Sequence, residues 1–231
     1  MSGQSESSLE RRSFLTRLNK GVASFAAMAG VAMAQEKSTA AARWEPASHE
    51  KDDWLDKAAK HRVLFDTTTP EGFGEAVAFA SNYVRVNRSD YGLQTTDLAV
   101  VIVARHRSAS FGYNDAMWAK YGPALAARAK VEEPKTKLPP KTNLFNVGGY
   151  GELMTNRGTT LDSVIKQGIQ LAVCTLSTHG NAGVIAETMG GNVDAIFNEL
   201  IANLVSNARM VPAGIVTVNR AQEHGYTLMS A

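Results

Sequence analysis

The chain is poor in cysteine: Cys174 is the only one in 231 residues. A single thiol excludes an internal disulfide framework, so stability has to come from core burial and association. Excess charge is also lacking. Lys and Arg number 24 against 22 Asp and Glu. Setting aside residues 1–34 removes Arg11, Arg12, Arg17 and Lys20 against Glu6 and Glu10, which leaves 20 of each sign. That balance gives no electrostatic case for a nucleic-acid partner or for an anionic membrane surface. The familiar catalytic signatures are absent: there is no P-loop, no His-Glu-x-x-His and no Gly-x-Ser-x-Gly. The uncharged run Gly21–Gln35 is Ala/Gly-rich, too short and too mild to stand across a bilayer.

What the N-terminus does have is an order of parts. Arg11-Arg12-Ser13-Phe14-Leu15 is followed by Lys20, the mild apolar run, and Ala32-Met33-Ala34, a small-x-small cleavage pattern. Residues 1–34 resemble a bacterial twin-arginine export signal. This implies a periplasmic or exported protein that meets the twin-arginine translocase already folded, either cleaved or retained as a membrane anchor. Residues 35–60 read as a polar tether ending in a short helix, and 61–231 as one domain.

Within that domain strands alternate with helices. "HRVLFDT" (61–67) is a first strand. Thr69 and Pro70 then offer the cap and first position of a helix over 71–88, whose face is Phe73, Val77, Ala80 and Val84. "DLAVVIVAR" (97–105) is a near-continuous apolar run, the signature of a strand covered on both faces. A short helix is expected over 111–122, and an irregular insertion rich in Pro, Gly and charge over 128–158. A helix ending at Gly168, the strand "IQLAVCTL", a short helix over 183–189 and a longer one over 193–206 follow. "MVPAGIVTVNR" is read as holding the fourth strand, and "YTLMS" as the fifth. The expected fold is α/β: a mostly parallel sheet of about five strands with helices on both faces. Ligands of such sheets sit beyond the carboxyl ends of the strands. The segments to inspect are therefore Asp66–Thr69, Arg105–Ser110, Cys174–His179 and Val218–Arg220.

Three clusters carry chemistry. Cys174 ends an apolar run and precedes the polar stretch Thr175–Asn181. Two readings are open there: a small buried hydrophobe, or a thiol beside a helix N-terminus and His179, where the nucleophilic thiolate is favoured. The segment 105–122 gathers Arg105, His106, Arg107, Ser108, Asn114 and Asp115. Its arginines suit an oxyanion such as sulfite, thiosulfate or phosphate, while Asn114 or Asp115 also suits a helix cap. His106, Cys174 and His179 have the residue types of a zinc or copper site but no tight ligand spacing. Gly72 and Gly74 form only a partial dinucleotide fingerprint, with Val77 where a third glycine belongs. The residues point to no particular cofactor.

Two segments together resemble one family. "GIQLAVCTLSTHG" (168–180) is similar to the strand-plus-cysteine segment of the DsrE/DsrF-like sulfur-relay proteins. "MVPAGIVTVNRAQEHGYTLM" (210–229) is similar to that family's C-terminal segment. The resemblance implies a DsrE-like α/β domain, assembly into a homo-oligomer, and persulfide sulfur carried on Cys174 between a sulfur-donor and a sulfur-acceptor protein. In that role His106 and His179 would serve as acid/base or thiolate-stabilising groups. Arg105, Arg107, Asn114 and Asp115 would hold the substrate. The alternative from a different class is a non-catalytic periplasmic binding module for a metal, haem or small ligand.

Overall fold

The computed structural model describes residues 45–231. The export-signal segment 1–34 and the first part of the tether lie outside the described residues. Pro46–Ala231 packs as one unit.

The architecture is organised around β2 (Leu98–Ala104), whose seven residues are all buried. It is flanked by β1 (His61–Thr67) on one side and β3 (Gln170–Cys174) on the other, and β5 (Thr227–Ser230) and β4 (Ala208–Val211) form the edges. The order is β4-β3-β2-β1-β5, and every pair is parallel. This is the five-stranded α/β sheet expected from the sequence. Strand side chains alternate between faces, so β2 feeds two cores. Leu98, Val100, Ile102 and Ala104 join the larger core, with α1 (Pro70–Ser89), α2 (Asp115–Ala129), α3 (Leu161–Lys166), α4 (Thr175–Met189) and α5 (Val193–Ala202). Ala99, Val101 and Val103 join a smaller one with Leu55, Tyr226 and α6 (Gly214–Glu223). The chain steps outward from β1 to β4 on one face. It then returns through α6 on the other face to set β5 beside β1.

The body begins earlier than the strand pattern implied. Glu50–Leu55 is a short 3-10 helix whose Leu55 is fully buried in the smaller core. The Tyr226 hydroxyl donates to the Leu55 carbonyl at 3.1 Å, Arg220 pairs with Asp52, and His224 meets Asp56.

Three local expectations are corrected. The helix after Cys174 starts at Thr175, not Gly183, because Cys174 itself is the cap and the polar stretch forms the first turns. The fourth strand is Ala208–Val211, and "GIVTVNRAQE" is helix α6. Pro212 stops the strand, and the buried positions Gly214, Thr217, Val218 and Ala221 follow helical spacing, which overrides the β-branched composition. Val218–Arg220 therefore lies within a helix and not at the sheet's carboxyl edge. Finally, the helix expected over 111–122 is Asp115–Ala129, preceded by a 3-10 segment His106–Gly112.

The irregular insertion is anchored at one buried residue. Asn143 donates its side-chain amide to the Phe111 and Tyr113 carbonyls, and its backbone N–H goes to Asp115. Phe145 then closes an aromatic cluster with Phe73 and Phe111. Gly72 and Gly74 serve packing here. A Cβ on Gly74 would lie 2.1 Å from the Thr155 hydroxyl and 2.7 Å from the Phe145 ring, and one on Gly72 would lie 2.3 Å from the Ala231 carbonyl oxygen. Gly74→Ala should therefore destabilise the fold by about 1–3 kcal/mol, the usual cost of overpacking. Urea denaturation measures this, and an unchanged midpoint would contradict the packing role.

Candidate functional site

The carboxyl edge of the sheet brings together Asp66, Arg105, His106, Cys174 and Ser177. Register explains how. Thr67 pairs with Ala104 and Ala104 with Val173, so the residues just beyond, Arg105 and Cys174, are level across β2 and β3. Phe65, Ala104 and Val173 point into the larger core, which turns Asp66, Arg105 and Cys174 toward the α6 face.

Arg105 donates from Nε and Nη2 to the two oxygens of Asp66, both at 2.8 Å. The side chains are 26% and 17% exposed. The hydrogen bond to Asp66 raises the Arg105 pKa above its ordinary value despite opposing desolvation, and the nearby Cys174 adds a smaller upward pull. The stem of Arg105 is packed by Gly214 at the start of α6, where a Cβ would stand 2.6 Å from the Arg105 Cβ. The glycine in "VPAG" is thus a close-approach residue. Below the pair, the Ser108 hydroxyl accepts the Arg105 N–H and shares its one hydrogen between the Thr67 and Arg105 carbonyls, 2.9 and 2.8 Å away, locking the turn out of β2.

Cys174 is 5% exposed and forms no disulfide. It caps α4: its sulfur accepts the Ser177 backbone N–H at 3.5 Å. The Ser177 hydroxyl accepts the His106 backbone N–H at 2.7 Å. His106 itself is exposed and left-handed, with φ 56°, a conformation uncommon for a non-glycine residue. Ser177 therefore joins the thiol to the turn that carries Arg105 and His106. On the far side, a buried chain of donors runs from the Asn181 amide to the Tyr113 hydroxyl, from Tyr113 to Thr178, and from Thr178 to the Cys174 carbonyl. Burial, offset in part by hydrogen bonds to Thr178 and Asn181, pushes Tyr113 up to about 12.

The other expected site residues sit elsewhere. His179 is stacked on Phe197 of α5, ring centroids 3.7 Å apart and planes within 5°. Asn114 caps α2 through the Met117 N–H and is bridged to Asn203. Asp115 holds the insertion through Asn143. Arg107 is fixed by its backbone N–H to the Thr68 carbonyl, and its side chain forms no ion pair among the described residues. No group of three or more His, Cys, Asp or Glu among the described residues is arranged to hold a metal ion. The zinc or copper set His106, Cys174 and His179 is therefore not assembled. No helix among the described residues is long and apolar enough to cross a membrane.

Two grooves flank this geometry. One of about 710 Å³ lies between the start of α1, the end of α2 and the insertion, with Phe145, Leu153 and Met154 in its wall. It holds none of the residues of the edge cluster. A smaller one, about 290 Å³, reaches the edge itself at Thr175 and is walled by Trp54, Arg209 and Pro212.

Of the residues singled out in the sequence, Cys174, Arg105 and His106 come together at this edge; Ser177, Asp66 and Tyr113 join them as partners that the sequence did not single out. The signals were a hydroxyl three residues after the cysteine, which is cap spacing, and an acid closing the neighbouring strand.

Tyr113→Phe should cost about 1–2 kcal/mol, because it strips two buried partners of a hydrogen bond. In the wild type the neutral phenol is the favoured form in the folded protein. Its contribution to stability is therefore present below pH 10 and lost as the pH rises toward about 12. Thermal melts of both proteins from neutral to alkaline pH test this: the wild type should lose its advantage over the Phe variant only in that window. Comparison with known proteins supplies no relative: no family model, curated protein or solved structure matches the chain.

Proposed function

We propose that this chain is an exported, oligomeric sulfur carrier in which Cys174 accepts a sulfane sulfur and hands it on. One observation carries the reading: the only thiol of the chain stands at the carboxyl end of a parallel strand, level with Arg105 and capped by a helix N-terminal amide. In such sheets that edge is where ligands are handled, and amides and cations beside a sulfur favour its thiolate. The resemblance of segments 168–180 and 210–229 to the DsrE/DsrF-like proteins supports the same role.

The chemistry is an exchange that conserves electrons. The Cys174 thiolate attacks the outer sulfur of a donor persulfide, a new S–S bond forms, the donor's S–S bond breaks, and the donor leaves as its thiolate. The proton on the outer sulfur stays with it. With no second cysteine in the chain, the sulfur departs to a thiol on another molecule or another subunit. The Arg105 guanidinium, paired with Asp66, belongs to the same edge, and the Ser177 N–H supplies a fixed donor to the sulfur. His106 is the exposed imidazole of the same turn, available for proton transfer at the surface. His179, committed to Phe197, has no part in this mechanism.

Incubation with polysulfide followed by intact-mass and peptide mass spectrometry tests the proposal. The wild type should gain sulfur on Cys174, removable by a thiol reductant, and Cys174→Ser should gain none. Wild-type protein that stays unmodified while a control surface thiol is loaded would sink it.

A further inference from the structure

Arg105 and Cys174 are level on β2 and β3, Asp66 lies two residues further back on β1, and all three face α6; the arrangement does more than place a cation beside a thiol. Arg105 is engaged by both carboxylate oxygens of Asp66. A guanidinium paired in this way presents a dipole to its surroundings in place of a full positive charge. Its stem is wedged against Gly214, so its position does not depend on Asp66 alone.

Of the other charged groups, Arg128 of α2 lies beside Gly180, in the second turn of α4, and acts on Tyr113. The first turns of α4 and α6 carry no acidic residue. On β4, Arg209 stacks on Trp54 at 4.7 Å. Beyond it, Asp52 is paired with Arg220, and Lys51 lines the same groove. The Tyr113 hydroxyl is neutral and directed to Thr178. His106 is turned to the surface and meets the cluster through its backbone. Arg105, whose backbone is level with that of Cys174, is the cation of this edge, and its guanidinium turns to Asp66 on the strand opposite to β3.

We propose that Asp66 is a positioning residue that restrains the thiol: by pairing with Arg105 it withholds from Cys174 the positive charge that would stabilise a thiolate. The proposal rests on the reading of Cys174 as the sulfur-carrying residue and adds how its reactivity is held in check. An unmasked cation near an acid favours the ionised form, while nucleophilicity falls somewhat as the thiol becomes more acidic. The net effect on rate is a gain smaller than the gain in thiolate.

The test is the rate of Cys174 alkylation by iodoacetamide across pH 5 to 10, on folded protein checked by circular dichroism. Asp66→Asn should react about three- to tenfold faster than wild type at neutral pH, with the midpoint of its pH profile moved down. Arg105→Gln should react more slowly, with its midpoint moved up. The double variant should lose the gain of Asp66→Asn. A single Asn variant no faster than wild type overturns the proposal, as does a gain that persists in the double variant. The latter would mean that Asp66 acts on the sulfur directly and not through Arg105. Should Asp66→Asn not fold, Asp66→Ser decides in its place: faster alkylation than wild type supports the restraint, and an equal or lower rate refutes it. A thiol inert in every variant also refutes it. Sulfur loading of the wild type is read separately. Failed loading with the expected alkylation pattern removes the carrier role and keeps the restraint, and the reverse pattern does the opposite.

Discussion

A strand buried along its whole length must be covered on both faces and hydrogen-bonded along both edges, and β2 imposes that demand on everything around it. Its seven apolar residues meet two cores of unequal size. Five helices and the anchored insertion cover one face. A single helix and the short 3-10 segment Glu50–Leu55 cover the other. The path of the chain follows from this. It spends β1 to β4 building the thick side and then returns through α6 to close the thin one.

The candidate site is a product of the same demand. Hydrogen-bonding β2 to β1 and β3 in parallel register aligns the three strand ends, and strand alternation sends Asp66, Arg105 and Cys174 to the thin side. The start of α6 then has to approach Arg105 so closely that only glycine fits. The ion pair is only partly buried, so its contribution to stability is modest. Its proposed weight is electrostatic, through the positive potential it leaves at the sulfur. The Ser108 and Thr67 hydroxyls hold the turn beneath it, and the Tyr113 chain holds the backbone behind the sulfur.

Much of this was legible in the amino-acid order, and the exceptions have physical causes. The strands at 61–67 and 98–104 and the helix opened by Thr69 and Pro70 stand where periodicity and capping put them. "IVTV" misled because four β-branched or apolar residues in a row look like a strand, while the helical spacing of Gly214, Thr217, Val218 and Ala221 needs a longer window to be seen. The start of α4 was obscured because cysteine is an unusual cap and the first turns are polar. Among site residues, Cys174 and Arg105 were visible because each closes an apolar run. The stacking of His179 on Phe197 and the capping by Asn114 depend on which helix lies opposite, and no local pattern reports that.

Ser177 carries a consequence for genetics. The atom that touches the Cys174 sulfur is its main-chain nitrogen, while its hydroxyl serves His106. Replacing the side chain deletes the second contact and leaves the first in place. An alanine scan of this edge would therefore score Ser177 by its service to the His106 turn and be blind to its service to the thiol. Only a change that removes the amide hydrogen itself, such as proline or a backbone ester, would make that contribution visible.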